Sequence, residues 1–106
     1  MPKVARSPAG DVTPIPLQVI AAKRIKWGVV IDAYLTDVAS VGARYSAMAF
    51  SDRAGLIEDG ETVATPPAKA VAEQHGFVLL QSLSGHDHYV VVNWLEADQA
   101  SNHASL

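Results

Sequence analysis

The sequence predicts a small α+β domain. One short helix, at about residues 66–75, covers a curved or partly closed, mostly antiparallel sheet of about four to five strands. Three observations carry this. Residues 77–95 read FVLLQSLSGHDHYVVVNWL, two apolar runs around Ser84-Gly85-His86-Asp87, the pattern of a hairpin. Thr65-Pro66-Pro67 opens a stretch with helical spacing. The 106 residues are 49% hydrophobic and 18% charged, which suits one domain with one modest core and excludes a wholly disordered chain.

Residues 1–16 hold Pro2, Pro8, Pro14 and Pro16 with Ser7 and Gly10 and show no period, so a flexible N-terminal tail is expected. The globular domain is expected over 17–96, with a second flexible tail over 97–106. Residues 17–22 are short and apolar and fit an opening strand or one turn of helix equally.

Residues 29–41 carry two patterns. Ile31, Tyr34, Leu35, Val38 and Val41 follow a helical stripe, while Ala33 and Leu35 alternate within a run of strand-preferring residues. Strand is favoured, because residues 44–51 look like a hairpin partner. There Tyr45, Ala47 and Ala49 alternate with Ser46, Met48 and Phe50. After a turn at Ser51-Asp52-Arg53-Ala54-Gly55, Leu56-Ile57 reads as a short strand. Asp59-Gly60 reads as a turn and residues 61–64 as another strand.

Thr65 is a fitting N-cap, and Pro66 at the first helical position loses no bond. The helix over 66–75 places Ala68, Val71, Ala72 and His75 on one face, and Gly76 suits its left-handed C-cap. In the hairpin over 77–95, a two-residue type II′ turn at Gly85-His86 pairs Phe77 with Trp94, Leu79 with Val92 and Gln81 with Val90. Phe77, Leu79, Leu83, Val90, Val92 and Trp94 then share one face. Val78, Leu80, Ser82, Tyr89, Val91 and Asn93 share the other. A strand pair apolar on both faces belongs in a sheet interior or under a cover.

The absence of cysteine excludes disulfides and thiolate metal sites and is compatible with the reducing cytoplasm, the expected location. No window approaches the ~18 apolar residues of a membrane span, and no apolar run follows Lys3 and Arg6, so neither a membrane partner nor a signal peptide is expected. Charge is uneven: seven cations and four anions through Arg53, then one cation and seven anions. Such asymmetry leaves oppositely charged surfaces.

Lys23, Arg24, Lys26 and Trp27 form the only basic cluster, a candidate binding patch for phosphate with a stacking aromatic. His86 and His88 offer imidazoles for an alternative metal site, though His-x-His alone specifies no third ligand. Asp32, Asp37 and Asp52 make a carboxylate cluster only if the fold gathers them. No nucleophile elbow, phosphate loop or dinucleotide fingerprint is present, and no cofactor is called for. The sequence therefore reads as a non-catalytic binding or accessory protein acting through protein–protein contacts, with a sheet edge that could favour a homodimer. A nucleic-acid-binding barrel using the basic cluster and a metal-dependent enzyme using His86 and His88 are the alternatives.

Overall fold

The computed structural model describes residues 14–95. Of the tails expected over 1–16 and 97–106, residues 1–13 and the whole of 97–106 lie outside them. Within them the chain forms α1 (Leu17–Lys23), β1 (Ala33–Val41), β2 (Arg44–Phe50), β3 (Glu61–Ala64), β4 (Ala68–Gln74), β5 (Phe77–Ser82) and β6 (His88–Val91). The six strands make one sheet in the order β3-β2-β1-β6-β5-β4. Two antiparallel three-stranded meanders are thus joined by a parallel β1–β6 pair. The fold is a small, mostly antiparallel α+β domain as the sequence predicts, with six strands where four to five are expected.

The sheet must curl. β3 and β4 are its two edges, yet only Thr65, Pro66 and Pro67 link them. A flat six-stranded sheet separates its edges by about 24 Å, whereas four residue steps reach about 14 Å. The link is pinned on both sides. Thr65 N–H donates to the Tyr45 carbonyl (2.8 Å), Ala68 N–H to Ala43 (3.0 Å), and Leu83 N–H to Pro67 (2.9 Å).

This corner overturns the helix expected over 66–75, which is strand β4. Thr65 caps nothing helical: its Oγ1 accepts from Tyr45 N–H at 3.1 Å and donates to the Pro66 carbonyl at 2.7 Å. Ala, Lys, Glu and Gln favour helix locally, but a ten-residue helix has a costly nucleus. Strand β4 instead pairs with β5 along its length. His75 and Gly76 have φ of 54° and 84°, the two positive values that a type I′ hairpin turn requires. Gly76 is therefore a hairpin residue and not a helix cap. A register shift between Ala70 and Ala72, with Lys69 beside it, blunts this exposed edge against pairing.

The one helix among the described residues lies earlier, at residues read as either strand or helix. Pro16 precedes it and its carbonyl accepts from Val19 and Ile20 N–H. Its Val19 and Ala22 are fully buried on the sheet, which a seven-residue helix needs to persist. Lys23 in the last turn suits the helix dipole.

β1 is strand, as favoured, and Arg44–Phe50 is its partner. Asp37 forms a bulge in β1 with φ 52°. Its side chain and backbone meet Asn93 reciprocally (3.1 and 3.3 Å). Leu56-Ile57 is loop, not strand; both N–H groups donate to the Asp52 carboxylate (2.8 and 3.1 Å).

The C-terminal hairpin exists with a different register. Leu79 pairs with Val90 and Gln81 with His88, two residues from expectation, because residues 83–87 form a five-residue loop in place of the two-residue turn. Gly85 keeps its positive φ (85°) and its N–H donates to the Ser82 carbonyl. A shift of two preserves every facing, so both expected faces survive for Phe77, Leu79, Val90 and Val92 against Val78, Leu80, Tyr89 and Val91. Leu83 is exposed in the loop. Trp94 lies with the opposite set, stacked at a tilt on Tyr45 (6.1 Å). The chain past Val91 leaves the hairpin to follow β1, with Trp94 bridging Val38.

Two cores result. One is lined from all six strands and includes Ala33, Leu35, Ala47, Ala49, Val63, Ala68, Leu80 and Val91. Because it touches both sheet edges, it fills the inside of the curl. The other joins Tyr34, Phe50, Leu79, Val90 and Val92 to Val19 and Ala22 of α1, on the outer face. No described helix is long and apolar enough to cross a membrane.

Candidate functional site

The inner core is not filled at one end. A cavity of about 230 Å³ is bounded there by the start of β1, the end of β2, the β2–β3 loop, β3, the Thr65-Pro66 corner and the β5–β6 loop. It exists because the residues pointing inward at 33 and 49 are alanines. Ala33, Leu35, Ala49 and Thr65, at most 3% exposed, form its floor. Ile57 and Val63 are half-buried along its walls.

Its polar residues come from the connecting segments and are half-buried, which puts them at the mouth. They are Asp32, Asp52 and Asp87, with Tyr89 from β6. Each aspartate is positioned by backbone. Asp32 Oδ2 accepts from His88 N–H (2.9 Å), its own N–H donates to the His88 carbonyl (2.8 Å), and Oδ1 faces Arg53 at 3.4 Å. Asp52 anchors the β2–β3 loop through Leu56 and Ile57. Asp87 closes the β5–β6 loop, its carbonyl accepting from Ser82 N–H (2.9 Å) and its N–H donating to Ser82 Oγ (3.0 Å). Among the described residues, the Asp87 carboxylate has no hydrogen-bond partner.

Burial, then the negative charges of Asp87, Asp32 and Asp52, push the Tyr89 phenol up to about 12. The phenol stays neutral at physiological pH and remains a hydrogen-bond donor. The mouth therefore combines three carboxylates and a neutral hydroxyl over an apolar floor. It contains no nucleophile–base pair: Ser82 and Ser84 direct their hydroxyls at each other (2.9 Å) and at loop N–H groups.

No family model matches the chain, and neither a curated protein nor a solved structure matches it.

The residues singled out from sequence lie elsewhere or apart. Lys23, Arg24 and Lys26 are exposed. Lys23 Nζ donates to Ser51 Oγ (3.1 Å), and the Lys26 carbonyl accepts from Gln74 (3.2 Å). Lys26 and Trp27 share a broad groove of about 550 Å³ with Val29, Val30, Ile31 and Tyr34, but Lys23 and Arg24 do not line it. Trp27 is half-buried against the outer core. Its indole N–H is buried without a hydrogen-bond partner among the described residues.

His86 is exposed in the β5–β6 loop, and His88 is half-buried in β6. His88 Nε2 lies 3.2 Å from Gln81 Nε2; the amide nitrogen donates, so this imidazole nitrogen accepts. Among the described residues, no three His, Asp or Glu side chains are placed to share a metal ion.

The fold does gather aspartates, in a set the sequence did not delimit. Asp32 and Asp52 converge with Asp87, while Asp37 pairs with Asn93 at the bulge. The available signal was position: each of the three flanks an apolar strand at the same end of the sheet. Seeing that needed the strand order.

Proposed function

We propose that the protein is a non-catalytic binding module acting through protein–protein contact, with the cavity at the mouth of the curl as its contact site. The observation that carries this is the cavity's size and construction. At about 230 Å³ it is smaller than the roughly 300–1,000 Å³ typical of small-molecule and cofactor sites, and it suits a single inserted side chain. Its walls are preformed by hydrogen-bonded loops, which lowers the ordering cost of docking a partner.

A photo-crosslinking amino acid at exposed Ala54, on the rim, tests the reading in the full chain. A discrete protein adduct is expected in cells, and Ala49→Leu, which fills the cavity, should abolish it. Adducts only to nucleic acid or small molecules, or a protein adduct indifferent to Ala49→Leu, would overturn the assignment.

A second reading, nucleic-acid binding, draws on the groove that Lys26 and Trp27 share. It predicts affinity for single strands that falls steeply with salt. The half-buried Trp27 ring and the separation of Lys23 and Arg24 from the groove favour the first reading.

A further inference from the structure

We infer that the cavity takes a basic segment of a partner protein, which inserts an apolar side chain onto the floor and sets an adjacent positive charge against the carboxylates at the mouth. This rests on the protein-contact reading above and specifies the partner's chemistry.

The order of polarity along the cavity dictates that arrangement. The floor is Ala33, Leu35 and Ala49 with Thr65, all almost wholly withdrawn from water, and the Thr65 hydroxyl is already engaged by Tyr45 N–H and the Pro66 carbonyl, so the part of a ligand that goes deepest must be apolar. A charge carried to that depth would lose its hydration without a partner. The carboxylates of Asp32, Asp52 and Asp87 stand at the half-buried mouth, side by side at the ends of the neighbouring strands β1, β2 and β6, so they make one acidic side of the entrance. Arg53 offsets only part of their charge: its ion pair with Asp32 is 3.4 Å long and its side chain is 63% exposed. Low-dielectric walls beside a row of charges of one sign focus the field on the entrance and attract a cation.

An inorganic cation is the poorer match. Among the described residues no three carboxylate or imidazole groups are placed to share a metal ion, whereas lysine or arginine side chains flanking an inserted residue can meet carboxylates separately. The neutral Tyr89 hydroxyl adds a donor for a peptide carbonyl at the same entrance.

The test is a methyl and amide NMR titration of the full chain with acetylated, amidated pentapeptides. One carries Lys-Leu-Lys at its centre. The others carry Gln-Leu-Gln, Glu-Leu-Glu or Lys-Ala-Lys. The Lys-Leu-Lys peptide should move the Leu35, Ile57 and Val63 methyls saturably. The Gln-Leu-Gln and Lys-Ala-Lys peptides should each bind about tenfold more weakly, and Glu-Leu-Glu should not bind.

Asp87→Asn should weaken the lysine peptide about tenfold and leave the glutamine peptide unchanged. A matching loss for wild type on raising salt supports the same conclusion without any variant. Equal binding of the Lys-Leu-Lys, Gln-Leu-Gln and Glu-Leu-Glu peptides would overturn the charge assignment and leave the protein-contact reading intact. No saturable shift from any peptide, with the Ala54 adduct still lost on Ala49→Leu, would overturn the inference alone. If n-butylamine binds as tightly as the peptide, the occupant is a small amine and both proposals fail.

Discussion

The two faces of the sheet solve the same problem differently. The outer face is packed with large side chains, Tyr34, Phe50, Leu79, Val90 and Val92, and α1 lies over it. The inner face carries Ala33, Ala47, Ala49 and Ala68 beside Leu35, Leu80 and Val91, and is covered by the sheet's own curvature. Small residues let the sheet bend tightly, and they leave unfilled volume where the curl opens. The difference teaches that the cavity follows from side-chain volume on one face, and that the two faces should respond oppositely to changes in size.

The largest expected effect breaks the outer face. Phe50→Ala removes a side chain only 2% exposed and should destabilise by about 3–5 kcal/mol. Ala49→Leu, one residue away but inward, adds volume beside existing space and should stay within about 1 kcal/mol of wild type, since overpacking costs arise where a core is already full. Denaturant melts of the two variants decide this. Equal losses would mean that the inner face is packed as tightly as the outer.

Next comes the corner that bends the inner face closed. Thr65 is 3% exposed, and Thr65→Ala leaves the Tyr45 N–H without its Oγ1 acceptor. The expected cost is about 1–3 kcal/mol, the penalty of an orphaned, largely desolvated donor. Thr65→Ser, which keeps the acceptor, should recover most of it. Losses as large for serine as for alanine would show that the methyl group, not the hydrogen bond, holds the corner.

That corner is also where sequence reasoning and structure part. The strands over 33–41, 44–50, 61–64 and 77–91 were legible because short apolar or alternating runs lie between turn signals. Their facing was legible too, since a two-residue change of register returns each side chain to its face. AKAVAEQ was not legible. Its alanines, lysine and glutamate favour helix on every local scale, and Thr-Pro before it imitates a helix start. Only β5 beyond His75-Gly76 makes it a strand, and that contact is tertiary. The cavity was hidden for the same reason: Asp32, Asp52 and Asp87 are far apart in the chain and meet only through the order β2-β1-β6.

Tyr89 sharpens the comparison through pH. Its pKa is raised on folding from 10.0 to about 12, so the folded state holds the phenolic proton more tightly than the unfolded state does. Its titration should leave stability untouched below about pH 10 and reduce it as pH rises toward 12. Tyr34 on the outer face is also raised, by burial alone. Asp87→Asn should therefore lower the Tyr89 pKa, followed by carbon-13 NMR of the phenol ring, and leave Tyr34 unmoved. A shift of both rings would mean that the substitution loosens the fold rather than removing a local charge.

The smallest expected effect concerns the cover of the outer face. Lys23, Arg24 and Lys26 end α1 and begin the connector that crosses that face, but their side chains are exposed, and the contact of Lys23 Nζ with Ser51 Oγ is itself exposed. The cover is held by Val19, Ala22 and Trp27 instead. Joint replacement of the three cations by glutamine should therefore change stability by under about 0.5 kcal/mol each. Glutamine keeps the aliphatic stem nearly intact, so the change isolates charge from packing. A thermal melt checks the fold, and titration of a fluorescent single-stranded oligonucleotide at two salt concentrations checks function. With protein contact at the cavity as the function, wild type and variant should bind the oligonucleotide equally weakly. If wild type binds it tightly at low salt and the variant does not, the groove of Lys26 and Trp27 is the working surface, and the outer face, not the inner, carries the activity.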